Sequence, residues 1–360
     1  MKLAKKLTAL LLAVILVVSL ASCNSQAEWS YKTNDDTLSI GTYIFYLYSF
    51  YQQASQKVSD SSKDVLSQTI TDDDTNKKVN ASDWIKKSAK QSCLNLLATY
   101  YEFKKDNLKL TSTETKAALD NTSQAWSQEG SQFEGYGISK DSYNAAANIS
   151  VTMDKKIFKH MFDVGGTNAV SDADLKAYFL KNYTDYDYLP INLYSTSSST
   201  SSTSSESSQA VAFTDAQVKQ VVSTLQKYVD KLNKGETFAN VKKAYMTDLK
   251  TTSDPFKSGT EYLKNSQIGA DLIKGIGALS VGKASLLKVG TGNSAVEYLI
   301  YKGDINAKVN MLSDSTTRYE ALVNDKSQDF TTYMKGVAKK ISCQSNDNAI
   351  TKYDPSMFKQ

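Results

Sequence analysis

The chain has 360 residues, 41% of them hydrophobic and 22% charged, with a formal charge of +4 at neutral pH. It holds one histidine, His160, and one arginine, Arg318. Histidine-rich metal centres are therefore excluded, a Ser-His-Asp triad has a single candidate base, and bidentate phosphate or carboxylate recognition is poorly provided for. No basic patch points to nucleic acid, no metal-ligand spacing is present, and no cofactor is expected.

The N-terminus reads in three parts. Lys2, Lys5 and Lys6 are followed by an apolar run from Leu7 to Leu20, too short and wrongly flanked to span a bilayer. Leu20-Ala21-Ser22-Cys23 then resembles the bacterial lipobox. Residues 1–22 are expected to be a lipoprotein signal peptide, with Cys23 the lipidation site. A diacylglyceryl cysteine brings two acyl chains (palmitate-type), which anchor stably where one would be marginal. That places the chain on the outer, extracytoplasmic face of the cell membrane. A plain secretory signal with an incidental cysteine is the alternative. Removing the three signal lysines leaves the remaining chain near neutral.

Residues 23–36 are polar and read as a tether. A helix is expected from about Gly41, with Ile44, Leu47, Tyr48, Tyr51 and Ala54 at helical steps. Positions 59–81 read as a polar loop. Asp83 is the expected N-cap of a long helix with the stripe Ile85, Ala89, Cys93, Leu96, Tyr100 and Phe103. Thr111 to Gln128 predicts a third helix, broken by Gly130 to Gly137. Lys140 to Phe162 predicts a fourth, stopped at Gly165-Gly166. His160 lies on or beside its apolar stripe and reads as structural. Ser171 to Asp174 opens a short helix.

The character then changes. Leu189 to Tyr194, with Pro190, predicts an edge strand. Residues 195–208 are almost pure Ser/Thr and read as a flexible, length-tolerant linker; an O-glycosylated segment and a client-contacting flap are the other readings. Thr214 to Gln217 caps a helix with Val218, Val221, Val222, Leu225, Val229 and Leu232 on one face, ended by Gly235. Short helices follow at Phe238–Tyr245 and Ile268–Ile276. Ala284–Val289 and Ala295–Tyr301 predict a hairpin through Gly290–Asn293. A long C-terminal helix is expected from Tyr319 to Ile341, with a break near Asn324. Cys93 and Cys343 can pair outside the cytoplasm, and two buried free thiols fit equally well. The expected fold class is α+β. A discontinuous helical domain, 37–186 and 305–360, is interrupted by a small antiparallel sheet domain at 187–304.

This order is similar to that of the PrsA/SurA-type extracytoplasmic foldases, in which a helical chaperone domain carries an inserted parvulin-type peptidyl-prolyl isomerase domain. Four stretches carry the resemblance: Gly235-Glu-Thr-Phe-Ala-Asn-Val241 with Tyr245 and Asp248, Leu279 to Ser285, Val296 to Ile300, and Val170 to Tyr178. The family's strand histidines are missing. Asn192 falls at the first position and Glu297 or Tyr298 at the last, and the paired glycine before helix three is reduced to Ser258-Gly259. The resemblance makes Asn192, Asp248 and Tyr298 degenerate counterparts of catalytic positions. It makes Tyr194, Tyr245, Leu272 and Ile273 candidates for client contact. Leu272, Ile273 and Tyr298 also fit an ordinary core.

The resemblance implies a membrane-anchored chaperone or foldase acting on unfolded or nascent secreted polypeptides, with a dimer compatible with the sequence. Whether the insert is an active enzyme stays open. Prolyl isomerisation breaks no substrate bond, so a pocket favouring the twisted amide can act without a titrating base. A solute-binding lipoprotein is a further alternative, but its repeated βαβ units are not found.

Overall fold

A computed structural model describes residues 28–196 and 210–359. Cys23, the signal segment, the first tether residues and positions 197–209 of the Ser/Thr stretch lie outside the described residues. The fold is an α+β mix of helices and small antiparallel sheets. The chain divides into two compact units. One comprises the residues through Ala169 together with those from Ser327, and the other is Val170–Lys326.

The first unit opens on β1 (Trp29–Lys32) and β2 (Thr37–Ser39). The tether expected to reach position 36 therefore gives way to a strand, in which Ser30 and Tyr31 are buried. Ser39 caps α1 (Ile40–Lys57), its hydroxyl accepting from the Thr42 amide. The polar stretch read as a loop holds a hairpin, β3 (Thr69–Asp72) and β4 (Lys77–Asn80), turning at Asn76 with a positive φ of 54°. Asparagine tolerates that left-handed geometry better than other side chains carrying a Cβ. The N-cap of α2 (Ala81–Lys105) is Asn80, not Asp83; the Asp83 amide donates to Asn80 Oδ1. The α2 stripe is as expected, with Ile85, Ala89, Cys93 and Leu96 buried against Ile44 and Leu47 of α1.

Thr111 and Glu114 form a full capping box for α3 (Ser112–Gly135). This helix runs through Gly130 instead of breaking there. A Cβ at Gly130 would lie 2.7 Å from the Trp126 ring, so the glycine makes room for the indole. The turn comes later, at Gly137, with φ of 84°. The fourth helix is α4 (Lys140–Asn144), a π-helical turn at Ala145–Ile149, and α5 (Ser150–Phe162).

The second unit begins with α6 (Asp172–Asn182), capped by Ser171. Sequence reading grouped this helix with the first unit. By contact it belongs here, with Leu175 and Phe179 fully buried and Phe179 stacked on Tyr183 at 4.6 Å. β5 (Tyr183–Asn192) follows, then β6 (Tyr194–Thr196), β7 (Ala210–Ala212), α7 (Asp215–Asn233) and α8 (Phe238–Asp248). β8 (Lys257–Tyr262), α9 (Ala270–Ala278), β9 (Ala284–Val289) and β10 (Val296–Lys302) complete it.

The four long strands form one antiparallel sheet in the order β8-β5-β10-β9. β5 is thus longer than expected and interior, not an edge. Pro190 is tolerated because β8 pairs only as far as Tyr188; at Pro190 the strand has one neighbour, β10. One sheet face packs on α7 and α8 through Leu189, Leu299, Leu225, Val229 and Val241. The other packs on α9 through Tyr186, Ile300, Leu272 and Ile276.

α10 (Ser315–Lys340) runs through Asn324 without the expected break. Residues 305–326, also placed with the helical domain by sequence, count with the second unit. The chain ends in β11 (Gln344–Ser345), α11 (Asp347–Ile350) and a 3-10 turn, Pro355–Phe358. β11 pairs antiparallel with β1, Tyr31 opposite Ser345. Among the described residues no helix is long and apolar enough to cross a membrane.

Candidate functional site

Strand alternation sends Tyr186, Tyr188, Pro190 and Asn192 to the α9 side of the sheet. In register beside them on β10 stand Val296 (opposite Asn192), Tyr298 (opposite Pro190) and Ile300 (opposite Tyr188). The rings of Tyr188 and Tyr298 are 5.9 Å apart, and those of Tyr186 and Tyr188 6.1 Å. The result is a tyrosine-lined sheet face packed against α9.

A partly buried polar knot around Tyr186 anchors this face. Tyr186 donates its hydroxyl to Glu261 Oε1 at 2.5 Å, while Ser266 Oγ and the Gln267 amide donate to Oε2 at 2.6 and 3.0 Å. Burial pushes the Glu261 carboxyl up, but the three donated hydrogen bonds outweigh it and hold it below its ordinary value. The Tyr186 phenol is raised, first by burial and then by that carboxylate. Gly259 makes the approach feasible, because a Cβ there would lie 2.5 Å from the Tyr186 hydroxyl. Such an arrangement fixes rings in place. Its hydrogen bonds hold the Tyr186 ring in position on the sheet face.

Of the residues singled out from sequence, Asn192, Tyr298 and Leu272 come to the same side of the sheet. Asn192 is exposed, Tyr298 half-buried, and Leu272 buried between α9 and the strands. Ile273 is half-buried on the same helix. Tyr245 and Asp248 lie on the opposite face. Tyr245 is core beside Phe256, and Asp248 accepts the Tyr228 hydroxyl at 2.6 Å, tying α8 to α7. Tyr194 stands apart in the β6–β7 pair, opposite Ala212. Buried Glu297 lies opposite Ile191 on β5. The knot of Tyr186, Glu261 and Ser266 escaped sequence reading. The alternation in Tyr186-Asp187-Tyr188 was its available signal.

His160 is half-exposed in the first unit, its Nε2 3.7 Å from Asp106 Oδ2. No group of three or more metal-binding side chains occurs among the described residues. Cys93 and Cys343 are free thiols sharing the first core; burial, then the neighbouring Cys343, pushes the Cys93 thiol well up.

No family model matches the chain, and no curated protein matches it. Solved structures do. A foldase protein (PrsA) from Lactococcus lactis is 14% identical, covering 92% of this chain and 100% of its own, with a TM-score of 0.38. A foldase protein PrsA from Streptococcus pneumoniae is 16% identical over 77% of this chain and 96% of its own, with a TM-score of 0.38. PrsA from Bacillus subtilis is 19% identical over 77% and 94%, with a TM-score of 0.29.

Proposed function

We propose that the chain is a lipid-anchored extracytoplasmic chaperone of unfolded secreted polypeptides, carrying a parvulin-like insert that lacks the family's histidines. The observation that carries this reading is the discontinuous first unit, resumed at Ser327 after an inserted antiparallel sheet. The insert's α9-side sheet face presents tyrosines and an asparagine where the resemblance would place histidines. Leu272 and Ile276 fill the space beside α9, which favours a packed scaffold over an open prolyl pocket. The lipobox-like Cys23 supplies the location. Transient shielding of apolar client surface would keep emerging chains from aggregating.

The test is light scattering from a chemically unfolded client diluted into buffer. The protein at molar excess lowers the scattering; scattering unchanged at excess sinks the proposal. A proline-containing tetrapeptide assay gives a rate equal to buffer, and a clear acceleration would establish an active isomerase instead. Replacing Cys23 by alanine releases the protein from the membrane fraction.

A further inference from the structure

The first unit contains a cavity of about 660 Å³ that the insert's chemistry does not involve. It lies where the β1–β2 turn, the end of α2 and the end of α10 meet, three stretches far apart in sequence. Its size falls within the range of about 300–1,000 Å³ usual for ligand sites. Its floor is built. Glu102 is 2% exposed, accepting from Lys105 Nζ at 2.8 Å and from the Tyr333 hydroxyl at 2.7 Å. Lys104 Nζ donates to Asp36 Oδ1 at 2.6 Å and to the Asp35 carbonyl at 3.2 Å, fastening the turn to α2.

These pairings decide what fits. Lys104 and Lys105 are committed to Asp36 and Glu102, so the floor offers no net charge to an anion. At the rim, Asp35 and Lys340 are of opposite sign, and Lys340 has no ion pair among the described residues. The site as a whole is neutral, which gives nucleic acid or an anionic lipid surface nothing to follow. Its apolar surface comes from Tyr101, Tyr333, Val337 and Ile341 among otherwise polar lining residues. Tyr101 is 48% exposed, a large ring left open to water, and Val337 and Ile341 line the same cavity.

We propose that this cavity seats a short, uncharged apolar segment of an unfolded polypeptide, one aliphatic or aromatic side chain entering beside Tyr101, Val337 and Ile341. The neutral, hydrogen-bonded floor complements an uncharged segment, and the polar rim leaves its backbone hydrated. This rests on the chaperone reading above and gives that reading a binding site.

The test is fluorescence anisotropy of the full chain against fluorescein-labelled, reduced and alkylated α-lactalbumin, with aggregation suppression measured in parallel. Tyr101→Ser and Ile341→Asp each weaken binding about tenfold. Val151→Asp, at an exposed position on α5, leaves it unchanged. Lys340→Trp, at an exposed rim position, fills the mouth and also weakens binding; it serves if Ile341→Asp melts early by circular dichroism. If the wild type suppresses aggregation and the cavity variants bind the probe as tightly as it does, the site is overturned and the chaperone reading stands. If the wild type neither binds nor suppresses aggregation, both fall.

Discussion

The hydroxyl of Thr184 is buried, in a residue 3% exposed, and no hydrogen bond reaches it from the described residues. A polar group in that position costs free energy that an apolar side chain of the same shape avoids. Thr184→Val is therefore expected to be neutral or to stabilise by about 1 kcal/mol, read from the midpoint of denaturant unfolding; a loss of stability would mean the hydroxyl has a partner. Asp154 offers a second residue-scale test. Burial raises its carboxyl above the ordinary range, against a hydrogen bond from the Thr99 hydroxyl at 2.7 Å. A raised carboxyl takes up its proton in the folded state first. Its destabilising effect is thus full at neutral pH and is relieved as pH falls through the folded value toward the ordinary value of about 4. Asp154→Asn should melt higher than wild type at pH 7, with the gap narrowing near pH 4. Equal melting temperatures at both pH values would refute this.

At the scale of elements, the capping box at Thr111 and Glu114 is reinforced by Lys156, which donates to Glu114 Oε2 at 2.7 Å. Thr111→Ala should cost about 1 kcal/mol in thermal unfolding. Such caps, and the apolar stripes of α2 and α7, were legible because a helix repeats its signal over several turns. Short elements give no repeat. β1 and β2 span only four and three residues, so neither shows enough alternation to outweigh its polar surroundings. The first half of β5 is hidden in sequence because Asp185 to Tyr188 alternates aspartate with tyrosine, and its aspartates are held by partners distant in sequence. Asp185 accepts from Thr260 Oγ1 at 2.8 Å, and Asp187 accepts from Ser258. The site suffered the same way. Glu261 lies 75 residues from Tyr186, and only the β5–β8 register brings them together. Gly130 misled for the opposite reason, since its purpose is the bulk of Trp126 one turn earlier.

For the whole molecule, the last residues close the first core. Phe358, 2% exposed, sits among Tyr48, Tyr51 and Tyr136 with ring centroids 4.9 to 5.7 Å away. Phe358→Ala should cost about 3–5 kcal/mol, lowering the unfolding transition of the first unit; a change below 1 kcal/mol would show that the C-terminus merely rests on the surface. The pairing of β1 with β11 extends the point to time. A chain emerging N-terminus first has paired β1 with β2 some three hundred residues before its second partner, β11, exists. Every contact inside Val170–Lys326 is available earlier, so the inserted unit can be complete while the surrounding one still waits for its final strand. Until then the helices that enclose the insert in sequence hold an unfinished core. A protein proposed to guard emerging chains would itself be, for most of its own synthesis, a chain of that kind.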